Sequence, residues 1–373
     1  MGHTDELAIS ERIDKARLQE LANQMLRIEN GCLTDWRCDP IGSPNGNFVT
    51  GGVYRISGNT EVGNGAVLSW TLILKVVIAD PKRDDPVHYN YWRREVMAYQ
   101  SGALRRLPAQ FIVPECYAVD EKDDGLVWLW LEDMKHEPRA WERNDYAYAA
   151  EKLGEFQAAY LHGQPLPEWP WVNRGWMRSW INECKNYRTM PRTEDWTAAS
   201  ERVYALLDPF RELEGSIVDW LAALDRLPKT FAHQDYYELN ILWHADRCQE
   251  RRIALIDWQF ASISGIGEDL GRFLGLSVSV GQVPIDQFGE YRELLLSSYL
   301  KGMRDAGWRG DETLPRFGYL AAFALRSVWE VPKLLQKLAQ DEHSSESLRL
   351  LQIAEYQLEA GIEAERLRKR LGL

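Results

Sequence analysis

Four polar residues with a suggestive spacing lie between Phe231 and Phe260. His233 and Asp235 are followed, five residues after the aspartate, by Asn240, and Asp257 lies in the apolar run IALIDW. Transfer of the γ-phosphate of ATP to a hydroxyl needs a carboxylate that orients and deprotonates the hydroxyl. It also needs hard oxygen ligands that hold Mg²⁺ across the phosphates. The spacing therefore predicts a phosphoryl-transfer site, with Asp235 as the base and Asn240 and Asp257 as the Mg²⁺ ligands.

Two short apolar runs must bring these side chains together. Residues 241–243 and 253–256 predict two strands around a polar turn at 245–252. Such a hairpin places Asn240 at the start of one strand and Asp257 at the end of the other, on the same side. Each polar residue alone is common in proteins, and an isolated histidine is more often structural than catalytic. The prediction depends on their occurring together.

An upstream lysine fits the same chemistry. Lys75 is the only charged residue from Trp70 to Ile78, a run that predicts a central strand, where a lysine needs an anionic partner. Twenty residues later, Glu95 lies in a stretch with helical periodicity. In kinases a strand lysine contacts the ATP phosphates and pairs with a helix glutamate. We therefore expect Lys75 and Glu95 in the nucleotide site; the alternative is an exposed edge lysine and a surface glutamate.

Two further segments are candidates for nucleotide contact. The apolar run GLVWLWLEDM ends in acidic residues, where the chain would cross between two lobes. The carbonyl of Glu132 and the N–H of Met134 would then bind adenine; the alternative is an ordinary strand end. Glycines also punctuate residues 42–52, and a loop between the first two strands could fold its N–H groups over phosphates. Because that loop does not match GxGxxG, no single residue in it is favoured.

The composition narrows the class of protein. With 373 residues, 45% of them hydrophobic and 27% charged, the chain can form two packed lobes. The net charge of -12 argues against nucleic acid and anionic membrane partners. No apolar run approaches the length of a membrane span, and the N-terminal segment is too charged for a signal peptide. Five widely spaced cysteines without a CxxC fit reduced thiols, so we expect a cytoplasmic protein.

The order of strand and helix patterns predicts an α+β protein with two lobes. A small antiparallel sheet forms the expected nucleotide-binding lobe, residues 1–133, and residues 134–373 form a larger, mainly helical lobe for catalysis and substrate binding. The proline- and tryptophan-rich segment 161–180 either lines a substrate pocket or belongs to the core. Asp269 precedes an apolar-periodic run and is expected to be a helix N-cap with a structural role.

The catalytic segments also resemble a known family. HQDYYELNILW and IALIDWQFASISGIGEDLGRFL are similar to the catalytic loop and metal-binding segment of the aminoglycoside phosphotransferase family, which is related to choline and methylthioribose kinases. The resemblance extends over LILKVV, RREVMAYQ and WLWLEDM. It implies a protein-kinase-like fold, ATP or GTP with Mg²⁺, and phosphorylation of a small-molecule hydroxyl. The family commonly has glycine between the histidine and the aspartate, where this chain has Gln234.

Three functions are consistent with these residues. The leading hypothesis is an ATP-dependent O-phosphotransferase that acts on a small hydroxylated molecule, with an aminated antibiotic as the first candidate. A housekeeping kinase of choline, ethanolamine or a sugar is the second. A nucleotide-binding pseudokinase regulator is the third, and the presence of all the expected polar residues argues against it. A protein kinase is disfavoured because no Asp-Phe-Gly and Ala-Pro-Glu pair brackets an activation segment. The acceptor, the position phosphorylated and the oligomeric state stay open.

Overall fold

Five antiparallel strands form the sheet of the first lobe, in the order β1 (Cys32–Pro40), β2 (Thr50–Glu61), β3 (Val67–Ile78), β6 (Leu126–Glu132) and β5 (Cys116–Glu121). The structure is a computed structural model and describes residues 6–42, 48–135, 139–187, 201–245, 251–341 and 344–373. The elements of this part of the chain are α1 (Glu6–Arg12), α2 (Lys15–Leu26), β1 (Cys32–Pro40), β2 (Thr50–Glu61), β3 (Val67–Ile78), α3 (Arg94–Gln100), β4 (Phe111–Ile112), β5 (Cys116–Glu121) and β6 (Leu126–Glu132).

The alternation of side chains along β3 explains where Lys75 points. Successive residues of a strand face opposite sides of its sheet. Leu72 and Leu74 pack on the side that carries α1 and α2, whereas Val77 packs with Val96 of α3 on the other side. Lys75 has the same parity as Val77. The apolar pattern of the strand therefore directs this lysine toward the helix that carries Glu95.

Helices make up most of the second lobe, as predicted. None of the helices in the described ranges is long and apolar enough to cross a membrane. The elements are α4 (Arg143–Leu161), α5 (Trp176–Tyr187), α6 (Glu201–Asp225), β7 (Lys229–Ala232), β8 (Ile241–Ala245), β9 (Arg251–Leu255), β10 (Ser262–Gly265), α7 (Glu268–Val280), α8 (Phe288–Asp305), α9 (Thr313–Leu325), α10 (Ser327–Leu338) and α11 (Ser345–Leu371).

The predicted catalytic hairpin is present. β8 and β9 pair antiparallel, with Ile241 opposite Leu255; residues 246–250 of the predicted turn lie outside the described residues. β4 pairs in parallel with β9, so the chain preceding β5 also supports this hairpin. We retain a boundary after residue 133 as a proposal, because β6 completes the five-stranded sheet immediately before it.

Two glycines allow α4 and α8 to pack closely. A Cβ atom on Gly154 would lie 2.1 Å from the carbonyl oxygen of Tyr299, and one on Gly302 would lie 2.0 Å from that of Glu151. Any larger residue would therefore force the two helices apart. The position of α4 matters for the site because its backbone accepts a hydrogen bond of 2.8 Å from the hydroxyl of Tyr236, in the catalytic loop.

Candidate active site

Three charged side chains from three elements meet in one buried ion-paired set. Lys75 Nζ lies 2.6 Å from Glu95 Oε2 and 2.9 Å from Asp257 Oδ1. The N–H of Trp258 donates to Glu95 Oε1 at 3.3 Å, which ties the segment after Asp257 to α3. Burial alone would lower the pKa of Lys75, yet the Asp257 and Glu95 carboxylates raise it above its ordinary value. The lysine is therefore a fixed positive charge. Lys75 and Glu95 were expected to meet, and the structure brings them together.

The hairpin brings Asn240 and Asp257 to the same end of the second lobe. The N–H of Ile256 donates to the carbonyl of Asn240 at 3.1 Å, which continues the strand pairing beyond β9. The side-chain amide of Asn240 donates to the backbone carbonyl and to Oδ2 of Asp235, each at 2.8 Å. With its N–H groups so used, Asn240 has an amide oxygen to offer a cation. The spacing argument thus places these three residues together, as expected.

Asp235 has the properties of a proton acceptor. Burial raises the pKa of Asp235 to about 7, although the guanidinium of Arg272 opposes this rise, and the nearby Asp257 carboxylate adds to it. A general base works best when its pKa lies near the working pH. The environment of the loop therefore suits Asp235 to taking a proton from a hydroxyl at neutral pH.

His233 holds the loop and carries no charge. Its Nε2 donates to the carbonyl of Ile256 at 2.9 Å, and its Nδ1 accepts from the N–H of Asp235 at 3.3 Å. Burial lowers the pKa of His233 to about 4. The imidazole is therefore neutral at physiological pH, and its two nitrogens join the catalytic loop to the end of β9.

Asp269 was predicted as the N-cap of its helix, and this prediction was wrong. The N-cap of α7 is Gly267, and Asp269 lies within the first turn. Its two carboxylate oxygens accept the N–H groups of His233 and Gln234, each at 2.7 Å. Buried backbone N–H groups need an acceptor, and the loop finds it in this carboxylate. The structural role expected of Asp269 is thus exerted on the catalytic loop.

Two residues of the site have a left-handed backbone, Gln234 with φ 64° and Asp257 with φ 62°. Such a conformation is uncommon outside glycine, although aspartate is several-fold enriched in it. For other residues the strain costs about 1–3 kcal/mol and persists only where the surroundings hold it. The side chain of Gln234 is anchored by Nε2, which donates to Ser264 Oγ at 2.6 Å. The positive φ gives a physical reason for the glycine that the resembling family commonly has there.

The expected adenine-binding segment follows β6. Glu132 is the last residue of that strand, and Met134 is buried two residues later. The Glu132 carboxylate accepts the N–H of Glu115 at 3.1 Å. Between the two expected contacts, Asp133 pairs with Arg55 of β2, with Nε and Oδ2 2.9 Å apart. Nothing in the sequence spacing pointed to Arg55, because the pair forms only through the sheet.

The predicted phosphate loop is only partly described. It connects β1 and β2, and residues 43–47 lie outside the described residues. Gly42 directly precedes this gap and has φ 88°, and Gly52, within β2, has φ 153°. The position of Gly52 coincides with an irregularity in the register of β2 and β3, which the positive φ of a glycine accommodates.

One residue of the site, Arg272 of α7, was missed by the sequence interpretation. Its Nη2 lies 3.9 Å from Asp235 Oδ1. Its guanidinium carbon lies 4.3 Å from the ring centre of Trp176 and 5.3 Å from that of Trp180. Trp176 is buried, so at least this tryptophan of the tryptophan-rich segment serves the core. The available signal was a charged residue inside the apolar run after Asp269.

A family model covers both the helix of Glu95 and the catalytic hairpin. The model described as "Phosphotransferase enzyme family" matches residues 83–313, which is more than half of the chain. This agrees with the resemblance drawn from the catalytic segments. A search of curated protein sequences finds no match.

Several solved structures are similar to the chain. The amicoumacin kinase hAmiN, in complex with AMP-PNP, Ca²⁺ and Ami, is 13% identical over 95% of each chain, with a TM-score of 0.52. The GDP complex of aminoglycoside 2′-phosphotransferase-IIIa is 13% identical over 94% of this chain and 100% of that one, with a TM-score of 0.49. The ethanolamine kinase of Plasmodium vivax is 15% identical over 88% and 81%, with a TM-score of 0.46. The first of these confirms the predicted kinase-like fold.

Proposed function

The chain belongs to the phosphotransferase enzyme family, and from this premise we propose that it transfers the γ-phosphate of ATP to a hydroxyl of a small molecule. The observation that carries the proposal is the buried ion-paired set, in which Lys75 Nζ lies within 2.9 Å of the carboxylates of both Glu95 and Asp257. This set assembles one residue from the first sheet, one from α3 and one from the catalytic hairpin. A nucleotide-binding pseudokinase would use the same set to hold its nucleotide, but it would have no need for the Asp235 carboxylate, which Asn240 holds in the loop beside the set.

At the nucleotide end, the proposed roles follow from charge and position. Lys75, anchored by Glu95, contacts the α- and β-phosphates. The carbonyl of Glu132 and the N–H of Met134 bind adenine at the crossing between the lobes. Guanine is the alternative base, and a comparison of ATP with GTP as donor separates the two.

The oxygen donors at the hairpin fit Mg²⁺. This ion prefers oxygen ligands and is usually held by one or two carboxylates together with substrate phosphates. Asp257 and Asn240 supply one carboxylate and one amide oxygen. No group of three or more histidine, cysteine or acidic side chains that could hold a metal occurs among the described residues, which suits an ion held jointly with the nucleotide. When bound, Mg²⁺ supplies positive charge to the transferring phosphates.

At the acceptor end, Asp235 orients the attacking hydroxyl and accepts its proton. The amide of Asn240 holds Oδ2 of this carboxylate at 2.8 Å, which fixes its direction. The hydroxyl oxygen then attacks the γ-phosphorus, the bond to the β-phosphate oxygen breaks, and ADP leaves. The proton stays on Asp235 until solvent removes it.

The acceptor is proposed to be an aminated antibiotic, and the protein's overall negative charge of -12 suits a cationic substrate. A housekeeping kinase of choline, ethanolamine or a sugar uses the same site, so substrate competition separates the two. We place the reaction in the cytoplasm, where ATP is available. The thiols of Cys32, Cys38, Cys116 and Cys184 are free, which supports a reducing compartment.

The experiment incubates the purified protein with MgATP and a panel of aminoglycosides, macrolides, choline, ethanolamine and amino sugars, and reads phosphorylated products by mass spectrometry. Asp235→Ala is the inactive variant, and Asp208→Ala, whose side chain is 84% exposed on α6, is the matched control. We expect a product from the unmodified and Asp208→Ala proteins only. A product formed equally by Asp235→Ala would refute the proposed base, and absence of any ATP turnover would favour the pseudokinase.

A further inference from the structure

A buried arginine contacts the catalytic loop without a part in the chemistry proposed so far. Arg272 lies on α7, one turn after Asp269, and is 3% exposed. Its Nε donates to the backbone carbonyl of Gln234, and its Nη2 faces Asp235 Oδ1 at 3.9 Å. The guanidinium therefore meets both the residue before the proposed base and the base itself.

Aromatic rings fix the orientation of this guanidinium. Trp176 and Trp180, on successive turns of α5, have ring planes within 10° of each other, and the Arg272 guanidinium lies near both. A planar guanidinium that stacks on aromatic rings has a defined orientation, which a lysine ammonium would lack. Arg272 Nη1 is buried without a hydrogen-bond partner in the described part of the chain. Buried polar groups usually have a hydrogen-bond partner, so a buried arginine with an unpartnered nitrogen is unusual. Such an exception needs an explanation, and a role in function is one.

The peptide group after Gln234 is held at a strained position. With φ 64°, Gln234 adopts a backbone that glycine takes freely and other residues rarely take. The N–H of Gln234 donates to the Asp269 carboxylate at 2.7 Å, and Arg272 donates to the carbonyl of Gln234. That carbonyl belongs to the peptide bond that leads into Asp235. The direction of this peptide group therefore sets the direction in which the Asp235 side chain leaves the backbone.

We infer that Arg272 is a positioning residue, which fixes the peptide group between Gln234 and Asp235 and so aims the Asp235 carboxylate at the acceptor hydroxyl. The inference rests on the proposed function, in which Asp235 is the base. Arg272 acts through the loop and not on the reacting atoms. The dependence on Arg272 is a consequence of the glutamine, because glycine at position 234 would keep the same φ without strain.

The test is a double-variant cycle with a control. The proteins are the unmodified chain, Arg272→Gln, Gln234→Gly and the double variant. Arg326→Gln removes another buried arginine, which donates to Ser279 and Glu330. One readout is amide hydrogen exchange of residues 233–235 in the metal-free protein. The other is ATP turnover with MgATP, with water or a panel-identified acceptor, separated into kcat and nucleotide KM.

We expect Arg272→Gln to speed exchange of the loop amides about tenfold and to lower kcat about 10²-fold, with nucleotide KM unchanged. Arg326→Gln should leave loop exchange within about twofold of the unmodified protein, because Arg326 shares the neighbouring Trp180 ring with Arg272 but donates to Ser279 and Glu330 and not to the loop. In the Gln234→Gly background, the effect of Arg272→Gln on both readouts should be much smaller.

Three results would overturn the inference. The first is loop exchange in Arg272→Gln equal to that of the unmodified protein. The second is equal acceleration by Arg326→Gln, which would make Arg272 a general support of the fold. The third is an Arg272→Gln effect that is undiminished in the Gln234→Gly background, which would mean that Arg272 does not serve to hold the strained backbone of Gln234. If the unmodified protein turns over no ATP, the proposed function fails, while loop exchange still decides whether Arg272 holds the peptide group.

Discussion

The nucleotide end and the acceptor end of the site are assembled by different forces. At the nucleotide end, Lys75 pairs with two carboxylates at 2.6 and 2.9 Å. At the acceptor end, Asp235 has a guanidinium nitrogen at 3.9 Å and is held mainly by hydrogen bonds to its backbone and side chain. A direct ion pair is broken by neutralising one of its charges. A carboxylate held by backbone hydrogen bonds is instead displaced by substitutions that change the loop. Variants of the two ends should therefore fail in different ways.

The same contrast appears in the two left-handed residues. Asp257 belongs to a residue type that is enriched in this conformation, and its carboxylate pairs with Lys75 through Oδ1. Gln234 has no such preference and depends on contacts from β10 and α7. At the nucleotide end the residue type itself favours the left-handed backbone. At the acceptor end, contacts from neighbouring elements stabilise it.

The largest effect is expected from Asp257→Asn. Asparagine keeps the left-handed backbone but removes the charge that faces Lys75 and the proposed Mg²⁺. A metal ion supplies several kcal/mol of charge stabilisation, so turnover should fall about 10³-fold. The Mg²⁺ concentration for half-maximal rate should rise. The measurement is a magnesium titration of ATP turnover, with Asp225→Asn on the exposed end of α6 as control; a loss below about tenfold would remove Asp257 from the metal site.

Lys75→Met should lower stability as well as activity. The substitution leaves the buried Glu95 carboxylate without its cation, and breaking a buried ion pair in this way costs about 3–5 kcal/mol. Adding Glu95→Gln should recover much of the free energy of unfolding but none of the turnover. Urea unfolding measures the first quantity. If the single and double variants are equally stable, the unpaired Glu95 charge is not the cause of the loss of stability.

The sequence predicted the ends of the site unequally, and the reason is physical. Lys75 was recognisable because a lone charge in an apolar strand needs a partner, and Asn240 and Asp257 because a hairpin sets their spacing. These are local patterns with a fixed geometry. Strand periodicity alone thus predicted the positions of Lys75 and Asp257, two of the three residues of the ion-paired set.

The features that escaped prediction depend on contacts between distant elements. The left-handed backbone of Gln234 is stabilised by α7, which no local propensity encodes, and Arg272 is near in space while 37 residues away from Asp235 in sequence. Asp269 was predicted as an N-cap because it precedes an apolar run, whereas the loop of His233 competes for its carboxylate. Tertiary demand for a hydrogen-bond acceptor overrode the local signal.

The Asp235→Asn variant tests whether the buried Asp235 carboxylate lowers the free energy of unfolding. Burial raises the folded-state pKa of Asp235 from 3.8 to about 7, so a folding penalty builds up as the pH rises through this interval and stays constant above pH 7. As pH falls below the unfolded value, both states are protonated and the penalty vanishes. The stability advantage of the Asp235→Asn variant, measured by thermal unfolding of metal-free protein, should therefore grow by roughly 2–4 kcal/mol from pH 4 to pH 8. A difference independent of pH would contradict this.

The smallest effect is expected from Arg55→Met, beside the proposed adenine contacts. Asp133 is 7% exposed and loses its partner, but Arg55 itself is 41% exposed, so solvent screening limits the loss. Nucleotide KM should rise about three- to tenfold with kcat unchanged, because the carboxylate that loses its cation lies between Glu132 and Met134. Arg178→Met, which breaks the exposed pair with Asp225, is the matched control and should change neither constant. Among the described residues the Asp133 carboxylate accepts from Arg55 and from the N–H of Lys135. A fall in kcat as large as the rise in KM would therefore mean that the two ends are coupled, and that charges at one end also position the loop at the other.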